Sequence, residues 1–385
     1  MFKKILYVTD YLVKKNGDKV YCDIDADKGL RQNFNNHITF VGIDSQIAIE
    51  NKKKLQSNKF IILNYKKGNL ISFIKFILSN IFSIWNEIKE HDLVMIKVFQ
   101  LNGFLYSIIA FLQNKKVFAS FVGDPLKSYD LREDLFRFKL LKITLRKILK
   151  SYLDLICNRS FQINYVSKSL KNKYQLHQNN FSIANESWLL DKNFTNFTLD
   201  SKKFSKKKKL KMIFVGRVVR EKGLFLLFEV LNELKKLNYK ISLSILGEGK
   251  DKQNLESLAM NFDIEVNFLG YVESQSDEIY HQYQSHDVMI LPSFSEGLPL
   301  SILEAFSAKT FVIASNVGGI SEIISDEITG FLIEPNSKKS LMRAIKKLYN
   351  ENLDIVQILD NAYRVAKLNT MEIQQKEMYN FLTLK

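Results

Sequence analysis

Two short stretches of this 385-residue chain bring together residue types that can do chemistry. The first is Phe214-Val215-Gly216-Arg217-Val218-Val219-Arg220-Glu221-Lys222-Gly223. Here an apolar run ends in Gly216, which lets a ligand approach the backbone. The helical pattern that follows offers free N–H groups and a positive dipole end to an anion. Arg217 and Lys222 add two cations at the carboxyl edge of the strand, a place that suits a diphosphate. An ordinary strand-to-helix turn with surface cations has the same composition. The second stretch is Leu291-Pro292-Ser293-Phe294-Ser295-Glu296-Gly297-Leu298-Pro299-Leu300-Ser301-Ile302-Leu303-Glu304-Ala305. Glu296 falls in a loop that ends a buried strand, and Pro299 suits the first turn of a helix, where its missing N–H costs nothing. Glu304 follows about a turn and a half later. Two such carboxylates can accept hydrogen bonds from two hydroxyl-bearing parts of one ligand, while N–H groups near Gly297, Leu298 and Leu300 suit phosphate oxygens. Two acids at this distance also arise by chance, and an acid near a helix start complements its dipole.

Positioning these residues requires strands that end where the motifs begin. The second half alternates strand-like and helix-like runs: strand Leu210 to Val215, helix Gly223 to Leu237, strand Ile241 to Leu246, helix Asp251 to Met260, strand Glu265 to Leu269, helix Ser276 to Gln284, strand Val288 to Leu291, helix Leu298 to Ala308 and strand Phe311 to Ala314. The first half does the same. Strand-like runs cover Lys4 to Thr9, His37 to Gly42, Phe60 to Leu63, Leu93 to Val98, Val117 to Val122 and Gln162 to Val166. Helical patterns cover Asn69 to Lys89, Gly103 to Gln113 and Glu133 to Cys157. Strands separated by helices of this length make parallel βαβ units. The expectation is an α/β protein of two doubly wound Rossmann-like domains. Residues 1–195 form the first, a basic linker covers 196–209, and residues 210–370 form the second. A C-terminal helix over 371–385 packs back on the first domain.

Composition narrows the function classes. At 46% hydrophobic and 25% charged residues the chain has the make-up of an ordinary globular protein, which argues against disorder. Cys22 and Cys157 stand far apart, and none of the five histidines falls at metal-ligand spacing. No metal site and no disulfide scaffold is therefore expected, and a reducing, cytoplasmic compartment fits. The apolar start, Ile5 to Val8, ends at Asp10, short of the ~7–15 residues of a signal sequence. The apolar runs at 69–85 and 98–112 are broken by Lys75, Asn80 and Asn102, so no spanning helix is expected. The net charge of +15 admits nucleic acid, an anionic membrane surface or an anionic donor as partner, or lysines that only solvate the surface. Nucleic acid has the least support, since no helix-turn-helix, zinc-finger spacing or aromatic RNA-binding pattern accompanies the charge. Between Arg137 and Lys150 six cations mix with large apolar residues and no acid, a pattern that suits an anionic membrane surface or a core helix with a solvated face.

The ordered set Val215-Gly216-Arg217, Lys222-Gly223, Leu246-Gly247-Glu248-Gly249, Leu269-Gly270-Tyr271, Pro292-Ser293, Glu296-Gly297, Glu304-Ala305 and Gly318-Gly319 resembles the retaining GT-B glycosyltransferases, especially family 4 with its E-x7-E motif. The resemblance covers roughly Leu210 to Asn350. It implies a GT-B fold, two Rossmann-like domains facing across a cleft. It implies a hexosyltransferase-type enzyme (EC 2.4) that moves a sugar from a nucleotide-diphosphate sugar to a hydroxyl acceptor, a glycan or lipid-linked glycan, with retention. Cell-surface polysaccharide or lipopolysaccharide assembly, at the cytoplasmic side and peripheral on the inner face of the membrane, is the setting by analogy. Carried over residue by residue, Arg217 and Lys222 neutralise the leaving diphosphate, Glu296 binds sugar hydroxyls and Glu304 the ribose. The backbone of Gly216, Gly297, Leu298, Pro299 and Leu300 lies near the phosphates or sugar, and Gly270 and Tyr271 lie near the base. No cofactor and no metal are implied, because the cations do that charge work.

The first half departs from the family. The glycine-rich loop expected after the first strand is replaced by Val8-Thr9-Asp10-Tyr11-Leu12-Val13-Lys14-Lys15-Asn16-Gly17, which has a turn signal at Asn16-Gly17 but no paired glycines. Asp124, after Phe121-Val122-Gly123, stands where many members have a histidine facing the reacting sugar. It equally suits a turn or helix-capping acid. The alternative function is a catalytically inactive sugar-nucleotide-binding partner subunit of the same fold, against which the presence of Arg217, Lys222, Glu296 and Glu304 argues.

Overall fold

The computed structural model describes residues 2–22, 37–44, 53–55, 57, 59–64, 70–98, 100–130, 139–175, 180–185, 187, 189–190, 194, 209–272, 276–350 and 353–383. Contacts divide the chain into two units. The first comprises residues 1–166, 170–184 and 374–385, and the second residues 167–169 and 185–373. Apart from Lys209, the basic linker expected over 196–209 lies outside the described residues, as does the start of the helix expected from Glu133.

In the first unit, β1 (Lys4–Asn16), β2 (Lys19–Cys22), β3 (His37–Asp44), β4 (Lys53–Lys54), β5 (Lys59–Leu63), β6 (Leu93–Lys97), β7 (Lys116–Phe121), β8 (Gln162–Tyr165) and β9 (Phe181–Ile183) form one sheet. Its parallel body runs β5-β3-β1-β6-β7-β8-β9, and β2 and β4 extend it antiparallel beyond the end of β1. The helices are α1 (Leu70–Lys89), α2 (Leu101–Leu112), α3 (Pro125–Asp130), α4 (Lys139–Arg159) and α5 (Lys168–Tyr174). Every residue of β6 is buried, as its uninterrupted apolar run Leu93-Val94-Met95-Ile96 demands of a central parallel strand. The C-terminal helix α13 (Met371–Thr383) sets Met378, Phe381 and Leu382 against Ile5, Leu93, Met95 and Phe118 of this sheet.

The sequence misleads most at β1. A strand ending at Thr9 and followed by a loop was expected, whereas β1 continues to Asn16 and turns back at Gly17 into β2. The register against β3 shifts between Val8 and Leu12, so Thr9, Asp10 and Tyr11 form a bulge. The Thr9 hydroxyl donates to the Val41 carbonyl (2.9 Å). The Asp10 carboxylate accepts from the N–H groups of Leu101 (3.0 Å) and Asn102 (3.2 Å) at the start of α2. Polar residues in the bulge hide a strand that resumes at Leu12 and buries Val13 against Val20, Cys22, Phe40 and Leu55.

The second unit is a six-stranded, wholly parallel sheet in the order β12-β11-β10-β13-β14-β15. Its strands are β10 (Leu210–Val215), β11 (Ile241–Leu246), β12 (Val266–Gly270), β13 (Val288–Leu291), β14 (Phe311–Ser315) and β15 (Phe331–Ile333). Covering helices are α6 (Leu224–Lys236), α7 (Lys252–Phe262), α8 (Asp277–Ser285), α9 (Leu300–Ser307), α10 (Ile320–Ile323), α11 (Lys338–Asn350) and α12 (Ile355–Lys367). Helix α9 starts at Leu300, with Pro299 as the extended cap residue (ψ 117°), later than the first-turn placement expected for that proline. Strand order reverses between β10 and β13, which makes the carboxyl ends of these two strands the switch point where doubly wound sheets bind ligands. No helix among the described residues is long and apolar enough to cross a membrane.

A His-Asp dipeptide recurs at the amino end of the strand beside the switch point in each unit. His91 joins the Glu87 carbonyl (2.7 Å) to the Thr39 hydroxyl (2.8 Å), and Asp92 accepts from the N–H groups of Lys3 (2.9 Å) and Lys4 (3.0 Å). His286 joins the Gln282 carbonyl (2.6 Å) to the Ser244 hydroxyl (2.8 Å), and Asp287 accepts from Lys211 N–H (2.8 Å) while its own N–H reaches the Lys211 carbonyl (2.8 Å). Each clip ties a helix end to three neighbouring strands and uses both nitrogens of a buried imidazole. Asp287→Ala leaves the partly buried strand-end N–H of Lys211 without its charged acceptor. It is expected to cost about 1.5–3 kcal/mol and lower the melting temperature of the second unit by several degrees in calorimetry. An unchanged transition would show that the clip carries no stability.

Candidate functional site

The site is built where β10 and β13 end. After β10 the chain passes Gly216 and Arg217 and makes a short 3-10 turn, Arg220–Lys222, before Gly223 opens α6. After β13 it runs through Pro292 to Pro299 and enters α9. The turn and the loop meet across the switch point. Lys222 Nζ donates to Glu296 Oε1 at 2.7 Å, and the buried Ser293 hydroxyl donates to the same oxygen at 2.6 Å. The Lys222 and Glu296 side chains are only 14% and 8% exposed, so the pair is largely withdrawn from water.

Backbone contacts fix this geometry. Phe294 N–H donates to the Glu221 carbonyl (2.8 Å), and Gly319 N–H donates to the Gly297 carbonyl (2.6 Å). Gly223 (φ +73°) packs so close to the loop that a Cβ there would lie 2.0 Å from the Pro292 carbonyl oxygen. A Cβ on Gly318 (φ +58°) would lie 2.0 Å from the Glu296 carbonyl oxygen. Only glycine satisfies both the left-handed backbone and the missing volume at these positions. The Glu296 loop is thus held from both sides by main chain. The neighbouring edge is laced in the same way: Gly216 N–H donates to the Leu246 carbonyl, Val218 N–H to the Glu248 carbonyl and Gly247 N–H to the Gly270 carbonyl.

The remaining residues singled out by the sequence fall around this centre in different states. Arg217 is 71% exposed and turns to Glu221, four residues on, at 2.7 Å. Glu304 is buried on α9 and accepts from the Tyr283 hydroxyl of α8 at 3.0 Å. Burial first, and then the charge of Glu304, push the Tyr283 phenol well above its ordinary value, so it remains the donor in that bond. Leu298, Pro299 and Leu300 are half-buried, and Tyr271, after the Gly270 turn (φ +74°), is 64% exposed. Among the described residues no group of three or more His, Cys, Asp or Glu side chains is arranged to hold a metal ion.

Asp124 belongs to the first unit and to local structure there. One of its oxygens accepts from Lys127 N–H (3.0 Å) and the Tyr174 hydroxyl (2.5 Å), the other from Lys173 (2.5 Å), and its carbonyl starts α3 by accepting from Ser128 N–H. Burial pushes its carboxyl up, but the Lys127 N–H, Lys173 and Tyr174 outweigh it and hold the group below the ordinary carboxylate range. The Lys127 bond is that of a helix-capping acid, and the Lys173 and Tyr174 bonds tie the same carboxylate to α5. Sequence reasoning gave Ser293 and Tyr283 no part in the site. Ser293 stands in the Pro292-Ser293 motif and could have been found there, whereas Tyr283 carries no local signal.

With the geometry defined, comparison with known proteins adds the following. Residues 196–365 match the family described as "Glycosyl transferases group 1". An uncharacterized glycosyltransferase of Haemophilus influenzae is 29% identical over 209 residues, 54% of this chain and 56% of that protein. Protein CapJ of Staphylococcus aureus is 24% identical over 98% of this chain and 95% of its own length. The O-antigen biosynthesis glycosyltransferase WbnH of Escherichia coli is 36% identical, over 38% of this chain and 40% of that protein. The chain thus spans about half the length, or less, of several of the curated relatives it matches. Among solved structures, sucrose-phosphate synthase from Thermosynechococcus elongatus superposes with a TM-score of 0.74 at 15% identity, covering 99% and 98% of the two chains. Anabaena HepE in complex with UDP-glucose gives 0.69 at 14% identity over the whole of both chains. The fold is GT-B. The matches support the enzyme class read from the sequence, a glycosyltransferase of EC 2.4.

Two outcomes test this site. Gly318→Ala and Gly17→Ala place the same methyl on the same backbone conformation, but nothing lies within 4 Å of Gly17. Gly17→Ala is expected to cost about 1 kcal/mol and Gly318→Ala on the order of 3 kcal/mol or more, read from urea unfolding. Equal losses would show that the Glu296 loop yields freely. For Asp124, a carboxyl depressed in the folded state contributes stability that is present above its unfolded value of about 3.9 and is lost as the pH falls through the lower folded value. Asp124→Asn is therefore expected to lower the melting temperature at pH 7 and to lose that difference in acid, as the pH falls through the depressed value of the carboxyl. A constant difference across pH would contradict the assignment.

Proposed function

We propose that the chain is a retaining glycosyltransferase of family 4 type, transferring a sugar from a nucleotide-diphosphate sugar to a hydroxyl acceptor on a glycan or lipid-linked glycan. The observation that carries this reading is the Lys222–Glu296 contact at the switch point of a sheet whose residues match group 1 glycosyl transferases. A cation that can take a diphosphate and a carboxylate that can take sugar hydroxyls there lie within one hydrogen bond of each other. Two similar proteins agree with this donor and this setting: HepE was solved in complex with UDP-glucose, and WbnH is an O-antigen biosynthesis glycosyltransferase.

In this reading the bond between the sugar's anomeric carbon and the diphosphate oxygen breaks as the acceptor oxygen bonds to that carbon on the same face. The acceptor proton passes to the departing phosphate oxygen. Lys222 and Arg217 stabilise the charge that builds on the diphosphate, which is the large electrostatic share of catalysis in such transfers. Glu296 orients the sugar through its hydroxyls, and Glu304, whose orientation Tyr283 fixes, takes the ribose. Gly216, Gly297, Leu298, Pro299 and Leu300 line the phosphates, and Gly270 and Tyr271 lie beside the base. No metal is required, and the setting is cell-surface polysaccharide assembly on the cytoplasmic side.

The test is a panel of nucleotide sugars in thermal-shift and calorimetric titrations. One donor is expected to raise the melting temperature of the native protein, since binding to the folded state alone stabilises it by mass action. Glu296→Gln keeps acceptor capacity toward Lys222 and Ser293 but removes the charge. It is expected to leave nucleoside diphosphate binding intact and to lower turnover by about 100-fold or more. Arg217→Ala is expected to weaken diphosphate binding about tenfold with little change in stability, because its present ion pair is exposed. Unaltered donor binding and turnover in both variants would reject this site.

A further inference from the structure

Helix α1 leaves a line of large apolar side chains in solvent. Ile74 is 47% exposed, Leu78 74%, Phe82 83% and Trp85 39%, at spacings of four, four and three residues that keep them on one side of the helix. Ile84 and Ile88, turned away from this line, are buried. The polar residues sharing the outer side are Lys75, Ser79, Ser83, Asn86 and Lys89. The single acid within the helix, Glu87, is only 15% exposed and is tied to Lys59 at 2.8 Å. Among the described side chains, the solvent side of α1 is therefore apolar at its centre, with Lys75 at one end of the apolar stripe, Lys89 beyond the other and no exposed acid within the helix.

This side does not stand alone. Helices α1, α2 and α4 each connect a strand to the next one in the same direction across the sheet. Right-handed crossovers place all three on one face. Gln113, at the end of α2, donates to the Trp85 carbonyl (2.8 Å), and Leu112 beside it is 67% exposed. Phe104 of α2 packs against Tyr152 of α4 with ring planes tilted at 58° and centroids 4.7 Å apart. Outward from there, α4 exposes Ile143, Arg146, Lys147, Ile148 and Lys150.

We propose that this face of the first unit docks on an anionic lipid bilayer, with the α1 stripe inserted among the acyl chains and the lysines of α1 and α4 at the headgroups. Four bulky apolar groups in line, a tryptophan toward one end and flanking cations are what an interfacial helix presents to such a surface. A second copy of the chain fits less well, because a two-fold pairing of α1 with itself would set like-charged ends together without an acid to answer them. The proposal does not depend on the donor-site reading. It places the apolar contact on α1, whereas the sequence pointed to the stretch from Arg137 to Lys150.

The chain has two tryptophans, Trp85 and Trp188, so Trp188→Phe turns Trp85 into a local reporter. With the full-length protein, vesicles of phosphatidylcholine and phosphatidylglycerol are expected to shift Trp85 emission to the blue, and brominated acyl chains are expected to quench it. Vesicles of phosphatidylcholine alone should bind less. Leu78→Ser with Phe82→Ser, both on exposed sites, is expected to weaken partitioning about tenfold or more with an unchanged circular dichroism spectrum and melting temperature. Three results would each overturn the proposal. One is the absence of binding to either vesicle. Another is binding that leaves Trp85 unquenched and is lost instead in Lys147→Glu with Lys150→Glu. The third is a lipid-free dimer, seen by light scattering, that the two serine substitutions convert to monomer.

Discussion

The contact between Lys222 and Glu296 depends on two loops being pressed together, backbone on backbone, at the point where strand order reverses. An ion pair this far from water recovers its desolvation cost only with good geometry and further hydrogen bonds. Ser293 supplies one of these, and the glycines at 223 and 318 supply the closeness. The consequence for binding is specific. A ligand that brings only an anion must compete with Glu296 for Lys222, and one that brings only hydroxyls must compete with Lys222 for Glu296. A ligand carrying both groups at the right separation satisfies each partner as it parts them.

The two units reach the same architecture with unequal resources at this edge. In the second unit the ends of β10, β11 and β12 are joined by main-chain hydrogen bonds between glycine-rich turns, leaving side chains free to face a ligand. In the first unit the corresponding end of β1 is a bulge whose polar groups are spent inward, Thr9 on Val41 and Asp10 on the start of α2. At the opposite edge the units agree closely, each clipped by a His-Asp pair that spans helix and strands. Both sheets are thus anchored alike at their amino edge, and their carboxyl edges differ according to what each has to present.

What could be read from the sequence follows from how local each signal is. Runs such as Leu93-Val94-Met95-Ile96 and Val288-Met289-Ile290-Leu291 announce buried strands by themselves, and the ordered glycines and acids between Gly216 and Gly319 mark the turns that meet at the switch point. The continuation of β1, the short strands β2, β4 and β9, and β15 are defined by pairing across distant segments, which composition does not encode. Asp124 shows the same limit. Its place after a strand is local, but its partners Lys173 and Tyr174 lie some fifty residues onward and are visible only in three dimensions. Tyr283, which fixes Glu304 from another helix, was hidden for that reason too.

Arg217 and Lys222 look equivalent in sequence, two cations on one turn, yet the structure gives them different surroundings. Lys222 is sheltered, paired across the switch point and supported by neighbouring loops. Arg217 is open to solvent and held by a pair with Glu221 of the kind worth about 1 kcal/mol or less, so it can change partners at little cost. A fixed cation lowers the energy of charge that develops at a set place, whereas a mobile one follows a group that departs. In the proposed reaction a diphosphate that is bound, cleaved from its sugar and then released calls for one cation of each kind, and the turn offers both within six residues because its last side chain is sheltered while Arg217, before it, stands in water.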